Sequence, residues 1–301
     1  MRVFITGATG HIGAAVTAEL LEAGHRVVGL ARSEESAAAL AARGAEAVRG
    51  SLDDLDALAD VAASVDGVIH LAFKHELMAS GDFASAVAAD LGAVQTIGAA
   101  LVGSDKPFVA ASGTMLLARA NLGRTAVETD TLAAGPRVDA ENFVISLAER
   151  GVRSSVVRLP PTVHSSLDHH GFVPTLVGIA RKTGVAGYVG DGANRWPAVH
   201  TLDAAQLFRL ALEAAPAGSR LHAIGDEGVA FRDIAEAIGH GVGVPVERIP
   251  DDEAADHFDF LGGFVSYDNP TSAERTKEVL GWRPTHPALI ADLAEGHYFQ
   301  R

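Results

Sequence analysis

A glycine-rich segment placed directly after the first apolar run constrains the fold of this 301-residue chain more than any other feature. Val3-Phe4-Ile5 is too short for a helix and predicts a buried parallel strand, whereas Ile12 to Ala23 predicts a helix that Gly24 ends. Thr6-Gly7-Ala8-Thr9-Gly10-His11-Ile12-Gly13 lies between them. A strand–loop–helix unit with this glycine spacing is typical of dinucleotide-binding α/β proteins.

Strands and helices then alternate over the first half of the chain. Further strands are predicted at Arg26–Leu30, Ala45–Val48, Gly67–Leu71, Phe108–Ala111 and Ser155–Leu159. The helices between them are predicted at Ser36–Arg43, from Asp53 (as the cap) to Ser64, at Phe83–Leu101, and from Pro136 to Glu149. This rhythm predicts right-handed crossovers and therefore an α/β fold, a Rossmann-type doubly wound parallel sheet.

The C-terminal third is less regular. Helices are predicted at Val173–Lys182, Ala204–Glu213 and Arg232–Ile238, and Arg220–Ile224 is read as one more sheet strand. We therefore expect a nucleotide-binding domain at 1–163, with 199–225 returning to it. Residues 164–198 and 226–301 are expected to form a smaller substrate-binding lobe.

Composition excludes several classes of site. The chain has no cysteine, which excludes disulfides, thiolate metal sites and cysteine nucleophiles. Its net charge of −14 disfavours binding to nucleic acid or to anionic lipid. No apolar run approaches the roughly 20 residues of a membrane span, and the first residues read as a core strand rather than a signal peptide. A cytoplasmic protein that binds a small molecule is expected, with a homodimer left open.

The glycine-rich loop indicates a phosphate-binding turn. Gly7 permits the tight turn, Gly10 lets a pyrophosphate approach the backbone, and Gly13 lets the helix pack on the strand. The N-terminus of the helix offers free N–H groups and a partial positive charge to the phosphates. The residues of this loop that are expected to bind the cofactor are Thr6, Gly7, Thr9, Gly10, His11, Ile12 and Gly13.

The end of the second strand indicates which cofactor the loop would take. A carboxylate there would bind the ribose 2′-OH of NAD, but the sequence reads Leu30-Ala31-Arg32-Ser33, with no acid before Glu34. Arg32 and Ser33 suit a 2′-phosphate, so NADP(H) is favoured over NAD(H). The alternative is that Arg32 is only solvated and Ser33 only caps the next helix.

These motifs resemble those of the short-chain dehydrogenase/reductase superfamily, in particular its extended and atypical branches. The resemblance covers nearly the whole chain and rests on the Thr6–Gly13 loop and on the segments His70-Leu71-Ala72, Arg158-Leu159-Pro160-Pro161-Thr162-Val163, Gly190-Asp191-Gly192, Val199-His200, Asp203, Ser272, Arg275, Leu280-Gly281-Trp282 and Pro284. It implies the fold and the nucleotide site. It also implies that Leu71, Ala72, Pro160, Thr162 and Val163 contact the cofactor.

The resemblance fails at the family's catalytic residues. The family uses a Tyr-x-x-x-Lys pair, in which the lysine lies one helical turn from the tyrosine and lowers its pKa. Here the two positions are placed at about Ala133 and Arg137, and none of Tyr188, Tyr267 and Tyr298 has a lysine four residues later. Arg137 is expected to bind a ribose or a phosphate but not to shuttle a proton. The position of the family's asparagine holds Asp90.

Two segments offer replacements for the missing tyrosine. Ser112 or Thr114, after the fifth strand, would hydrogen-bond a substrate carbonyl, or alternatively only its own turn. His75 would donate a proton with Glu76 orienting it, or would belong to an exposed polar loop.

The loop after the sixth strand offers a third source of an acid. His164 is its first candidate, in a cluster with Asp168, His169 and His170. The alternative is that these histidines only pack or solubilise the loop. The cluster does not define a ligand geometry, so no metal is predicted.

Substrate contacts are expected from two segments. Phe73 and Lys74 belong to the first, although Phe73 is also read as a packing residue. Arg195 and Trp196 belong to the second, in which Trp196 has a core position as its alternative. Asp256 to Gly263, with aromatic residues and glycines, is read either as a lid or as packing of the small lobe.

Three functions are compatible with this pattern. The first is an NADP(H)-dependent oxidoreductase acting on a small carbonyl or alcohol. The second is a regulator that senses NADP(H) without turnover, which the missing Tyr/Lys pair would explain. The third is a nucleotide-sugar epimerase or dehydratase, whose chemistry also depends on the absent tyrosine.

Overall fold

The computed structural model describes residues 1–79 and 81–300. Its strands are β1 (Arg2–Thr6), β2 (Arg26–Ala31), β3 (Glu46–Arg49), β4 (Gly67–His70), β5 (Pro107–Gly113), β6 (Arg153–Leu159), β7 (Thr162–His164), β8 (Ala186–Val189), β9 (Arg195–His200), β10 (Ser219–His222), β11 (Asp226–Ala230) and β12 (Val246–Ile249).

Helices alternate with these strands. They are α1 (His11–Glu22), α2 (Glu34–Ala42), α3 (Leu55–Ser64), α4 (His75–Ala79), α5 (Phe83–Leu101), α6 (Met115–Ala118), α7 (Val138–Ser146), α8 (Phe172–Thr183), α9 (Thr201–Ala214), α10 (Phe231–Val242), α11 (Ala254–Phe258), α12 (Glu274–Leu280) and α13 (Leu289–Ala294). Short 3-10 helices lie at Leu147–Arg150, Asp259–Gly263 and His297–Phe299.

The central sheet confirms the predicted fold class. Seven parallel strands run in the order β10-β6-β5-β4-β1-β2-β3. The chain winds outward from β1 in both directions, so the carboxyl ends of β1 and β4 flank a crevice where this class of sheet binds ligands. The predicted strand at Arg220–Ile224 is present as β10 and pairs with β6.

Apolar residues cover both faces of the sheet. One core contains residues of α1 and α9, and a second contains residues of α3, α5 and α7. A third core lies outside the sheet and includes Trp196, Phe231 and Phe258. Its members come from residues 173–198 and 231–298, while the predicted domain boundary at residue 163 stays a prediction.

Two helix starts differ from the sequence prediction. Helix α3 is preceded by Asp54 rather than capped by Asp53, whose carboxylate instead binds the Lys74 ammonium group at 2.6 Å. Helix α7 begins at Val138 because Gly135 and Arg137 have φ angles of 142° and 64°, outside the helical region.

Helix α5 corrects the expectation about apolar runs. Among the described residues it is long and apolar enough to cross a membrane by length and composition, with a mean hydropathy of 1.3. It buries Val94, Ile97 and Leu101 in the core shared with α3 and α7. A core helix passes the same length and composition test.

Candidate functional site

The glycine-rich loop closes tightly on the end of β4. Gly7 has a φ of 73°, and a Cβ atom there would lie 2.8 Å from the backbone nitrogen of Ala72. A Cβ on Gly13 would lie 2.0 Å from the carbonyl oxygen of Gly7, whereas one on Gly10 would meet only that oxygen, at 3.4 Å. The loop is therefore packed at Gly7 and Gly13 and open in front of Gly10.

The N-terminus of α1 lacks a side-chain cap. Gly10 occupies the cap position with no side-chain hydrogen bond, and no acidic residue lies in the first turn. In contrast, Ser33 and Asp82 cap α2 and α5 with their side chains. The N–H groups of the first turn of α1 have no acceptor within the helix, so this terminus suits an anionic group.

The side chain of His11 turns away from this opening. Its Nε2 atom lies 2.7 Å from the Thr201 hydroxyl, and its Nδ1 atom lies 3.6 Å from Asp168. Burial and the nearby histidines lower the pKa of His11 to about 4, so the ring is neutral near pH 7. The side chain of His11 is therefore engaged by Thr201 and Asp168, and only its backbone is left for the predicted contact with the cofactor.

A hydrogen-bonded chain links the glycine-rich loop to the position of the family's lysine. The Thr6 hydroxyl bonds His70 Nδ1 at 2.8 Å and accepts the backbone N–H groups of Leu71 and Ala72. His70 Nε2 lies 3.2 Å from Asp90 Oδ1. Asp90 in turn lies 3.9 Å from Arg137 Nε.

Charge at Asp90 is maintained despite its burial. Burial acts to raise its pKa, but the hydrogen bond from His70 and the positive charge of Arg137 outweigh it, and the pKa of Asp90 is lowered. Because Asp90 is ionised, His70 Nε2 donates to it and His70 Nδ1 accepts the Thr6 hydroxyl proton. The sequence located Asp90 but did not predict this chain.

Arg137 is held at the carboxyl edge between three groups. It donates to the Ala111 carbonyl at 3.0 Å, and its guanidinium lies 4.4 Å from the centre of the Phe73 ring. His75 packs edge-on against the same ring, at 5.3 Å between centroids. Desolvation and the charge of Arg137 lower the pKa of His75. His75, Phe73 and Arg137 therefore form one group beside the crevice.

The hydroxyl groups after β5 are engaged by protein. Ser112 donates to Glu141 at 2.7 Å, and Thr114, which has no exposed surface, accepts from Asn269 at 2.9 Å. Neither hydroxyl bonds only its own turn, which was the alternative reading. Asn269 was missed by the sequence analysis because it lies 155 residues from Thr114.

Burial disfavours His164 as a proton donor. It has no exposed surface and its Nδ1 lies 2.9 Å from Asp292. Of its predicted neighbours, Asp168 is buried, and burial raises its pKa to about 6, while His169 and His170 are exposed. The Asp292 carboxylate, with Glu295 and His297, also forms a group whose potential ligand atoms lie within 4.8 Å of one another.

The residues predicted to contact substrate include one that is buried and two that are held in ion pairs. Trp196 has no exposed surface and lies in the lobe core against Phe231, so it cannot wall a pocket as proposed. Arg195 is exposed and forms a bidentate pair with Asp268. Lys74 is bound to Asp53.

Residues at the other cofactor positions line the same sheet edge. Arg32 is exposed and pairs with Glu76 at 2.8 Å, and the Ser33 hydroxyl accepts the backbone N–H of Ser36 as a helix cap. The remaining predicted contacts, Pro160, Thr162 and Val163, are buried around β7, where the Thr162 hydroxyl donates to the Pro197 carbonyl.

Comparison with known proteins identifies the family. The model of the NAD dependent epimerase/dehydratase family matches residues 3–224. The chain belongs to this family, which confirms the resemblance to extended short-chain dehydrogenases/reductases.

Two fungal relatives match almost end to end. The uncharacterized protein C2A9.02 of Schizosaccharomyces pombe is 45% identical over 299 residues, covering 99% of this chain and 100% of the relative. The uncharacterized protein YLL056C of Saccharomyces cerevisiae is 43% identical over 295 residues, covering 97% of this chain and 98% of the relative.

A solved structure shares the fold. The dTDP-glucose 4,6-dehydratase DesIV of Streptomyces venezuelae, determined with NAD bound, superposes with a TM-score of 0.77 at 21% identity. The match covers 99% of this chain and 96% of that one. At this identity the likeness shows the fold alone.

Proposed function

We propose that the protein is an NADP(H)-dependent oxidoreductase that passes a hydride between the nicotinamide and a small carbonyl or alcohol. One observation carries the proposal. The uncapped, open turn at Gly10 lies at the same sheet edge as the Thr6–His70–Asp90–Arg137 chain. A turn suited to phosphate is therefore next to a hydrogen-bonded row of polar and charged side chains.

The residues present fit the cofactor. The space in front of Gly10 is the cradle that any side chain there would partly fill, and the adjacent helix terminus favours phosphate. The backbone of Gly7 to Gly13 would hold the pyrophosphate and Arg137 a ribose hydroxyl. NADP(H), when bound, supplies or accepts the hydride.

His75 is the proton donor in this proposal. Of the four candidates it alone is exposed, whereas Ser112 and Thr114 are bonded to other side chains and His164 is buried. In carbonyl reduction, the imidazolium of His75 protonates the alkoxide while the guanidinium of Arg137 stabilises the developing negative charge. Alcohol oxidation needs the neutral ring.

Turnover tests the proposal directly. Purified protein with NADPH is offered a panel of aldehydes and ketones, and consumption of NADPH is followed by its absorbance. Consumption with stoichiometric alcohol formation is the expected result. NADPH binding without consumption across the panel would instead support a regulator, and absence of binding would reject the assignment of the nucleotide site.

A nucleotide-sugar epimerase or dehydratase is the second candidate. The family match favours it. The absence of the Tyr-x-x-x-Lys pair argues against this candidate, since the lysine position holds Arg137. Tyr298 does not replace the missing tyrosine, because it is buried and burial raises its pKa. Incubation with UDP-glucose or dTDP-glucose and product analysis separates this candidate from the first.

Arg32→Asp tests the preference for NADP(H). The ion pair between Arg32 and Glu76 is exposed, so it is weak and leaves the guanidinium available to a 2′-phosphate. We expect the Kd for NADPH to rise about 10- to 100-fold, as for loss of a charged hydrogen bond. The Kd for NADH should change much less.

Arg43→Asp is the matched control, since Arg43 is an exposed residue at the other end of α2. It should leave both affinities near the wild-type values in fluorescence titrations. Equal weakening of NADPH and NADH by Arg32→Asp would contradict the assignment of NADP(H).

His75→Gln tests the acid. We expect kcat for carbonyl reduction to fall about 100- to 1000-fold, within the usual range for general acid catalysis. In the wild-type protein the reduction rate should decline as pH rises through the lowered pKa of His75, because the protonated ring is the donor. The oxidation rate should instead increase over the same pH range, because oxidation needs the neutral ring.

The control for this variant is His240→Gln, on the exposed side of α10, which should keep the wild-type pH profile. NADPH affinity should be unchanged in both variants. A His75→Gln variant with the wild-type pH limb would remove His75 from the mechanism.

A further inference from the structure

Three phenylalanines form a patch on the smaller lobe that the chemistry above does not use. The Phe172 ring lies 6.3 Å from that of Phe260 and 6.4 Å from that of Phe264. The buried Trp196 ring packs against Phe172 at 5.8 Å between centroids. We call Phe172, Phe260 and Phe264 the aromatic patch. Phe260 is 44% exposed, although its neighbours Phe258 and Leu261 are buried.

Helix α8, which carries Phe172 of the aromatic patch, is linked to the glycine-rich loop. Phe172 is the first residue of α8, and the preceding Gly171 donates its N–H to Asp168, which lies 3.6 Å from His11 of the glycine-rich loop. Met115, which follows Thr114 at the end of β5, packs against the same lobe core as Phe172. Asp168 thus links the start of α8 to the loop, and Met115 connects the end of β5 to the core beneath the patch.

The backbone around Phe260 is held in an unusual conformation. Asp259 has a φ of 53°, which is costly for a residue other than glycine. A Cβ on Gly262 would lie 2.7 Å from the Cα of Ala255, so the segment approaches α11 closely. This tightly packed turn carries the exposed Phe260 ring beside Phe172.

Two arginines near Asn269 are paired with carboxylates. Arg195 is paired with Asp268 through two hydrogen bonds, and Arg124 is paired in the same way with Asp130. Arg124 lines a cavity with Asn269, and the backbone N–H of Asn269 donates to the Arg195 carbonyl. The Asn269 side chain contacts Thr114 and Met115. Both guanidinium groups are thus paired with carboxylates, and the patch itself presents apolar aromatic surface.

We propose that the aromatic patch is the substrate subsite and binds the aryl or alkyl group of a neutral carbonyl compound or its alcohol. This inference rests on the proposed oxidoreductase function and names its substrate class. Aromatic rings offer such a group large contact area and edge-to-face packing, and the pockets of small-molecule enzymes are mostly apolar with few polar groups.

Steady-state kinetics and direct binding test the subsite together. Reduction of benzaldehyde, acetophenone and 2-octanone is compared with reduction of glycolaldehyde and with turnover of UDP-glucose. Separately, calorimetry measures the Kd of 1-phenylethanol for the complex with NADP+. We expect kcat/KM to rise with the size of the apolar group.

Phe260→Ala should raise KM for acetophenone and the Kd of 1-phenylethanol about tenfold, with little change in kcat or in NADPH affinity. Phe260→Leu should recover most of the loss. Val279→Ala, an exposed apolar position on α12, is the control and should behave as wild type.

The outcomes separate this inference from the proposed function. Binding of 1-phenylethanol that depends on Phe260, without any turnover, supports the subsite and rejects the oxidoreductase. Turnover of carbonyl compounds with a KM that Phe260→Ala leaves unchanged rejects the subsite alone. Turnover of UDP-glucose but not of apolar carbonyl compounds overturns both.

Discussion

Gly13→Ala should weaken cofactor binding by about two orders of magnitude. The new methyl group would lie 2.0 Å from the Gly7 carbonyl oxygen, and that oxygen belongs to backbone held against β4. Helix α1 must therefore retreat and displace the first-turn N–H groups from the phosphate cradle. We expect the Kd for NADPH to rise about 100-fold or more, equivalent to roughly 2.7 kcal/mol, and overpacking to lower stability by about 1–3 kcal/mol.

Two other glycines give matched comparisons in the same titration and melting experiments. Gly10→Ala meets only the Gly7 oxygen, at 3.4 Å, so it should weaken NADPH binding while leaving the melting temperature nearly unchanged. A Cβ on Gly92, within α5, meets nothing within 4 Å, and Gly92→Ala should stabilise the helix by about 0.5–1 kcal/mol. Wild-type NADPH affinity in Gly13→Ala would refute the proposed packing of the loop.

Glu141→Gln should produce the largest loss of stability. The buried carboxylate accepts hydrogen bonds from Ser112, Arg158 and Arg220 at 2.6–3.1 Å. Removing its charge leaves the Arg158 guanidinium buried without a counter-ion, since its other partner, His222, is a neutral acceptor. Breaking a buried pair of this kind costs about 3–5 kcal/mol, measurable by urea unfolding.

His222 supports this interpretation of the network. Its Nδ1 donates to the Ser272 carbonyl, so its Nε2 accepts from Arg158. Burial and the charge of Arg158 lower the pKa of His222 to about 4. The neutral His222 ring therefore cannot balance the positive charge of the Arg158 guanidinium.

The same network predicts a dependence of stability on pH. Burial acts to raise the pKa of Glu141, but the hydrogen bonds and charge of Arg158 outweigh burial and the pKa is lowered. A lowered folded-state pKa gives stability that is present above the unfolded value of about 4.3 and is lost as pH falls through the folded one. Glu141→Gln should lack this acid-induced loss.

Glu149→Gln is the control, since Glu149 is exposed near the end of the same helical segment and should unfold like the wild type. A loss below about 1 kcal/mol in Glu141→Gln, the range of an exposed pair, would show that the network does not stabilise the fold. Folding of the variant is monitored by circular dichroism before the titration.

Local pattern was sufficient for the sheet because each strand and helix carries its own signal. The six strands from β1 to β6 were each predicted within two or three residues, since apolar runs bounded by glycine and proline need no distant partner to be recognised. Helix α7 started late because two residues before it adopt positive φ. The strands β7, β8, β9, β11 and β12 were not predicted. The shortest of them, β7, β8 and β12, have three or four residues without alternation and give no periodic signal.

Whether the environment of a candidate site residue could be predicted depended on how far its contacts lie along the sequence. The strand–turn–helix structure around Thr6 to Gly13 could be predicted because its three parts are contiguous, and its role in cofactor binding stays a prediction. His164 and Trp196 could not be assigned, because their burial depends on Asp292 and Phe231, which are distant in sequence. The residues proposed for proton donation were chosen from chemistry alone, and only the structure showed which side chains are engaged.

The sequence by itself determined the order of strands and helices from β1 to β6, the glycine-rich turn and the absence of the Tyr-x-x-x-Lys pair, because these are properties of short contiguous segments. Only the tertiary structure decided that Ser112 serves Glu141, that Thr114 is held by Asn269, and that His75 and Arg137 share one aromatic ring. Side-chain hydrogen bonds and burial arise between segments separated by tens to hundreds of residues. Their energies depend on distances that the folded chain alone sets.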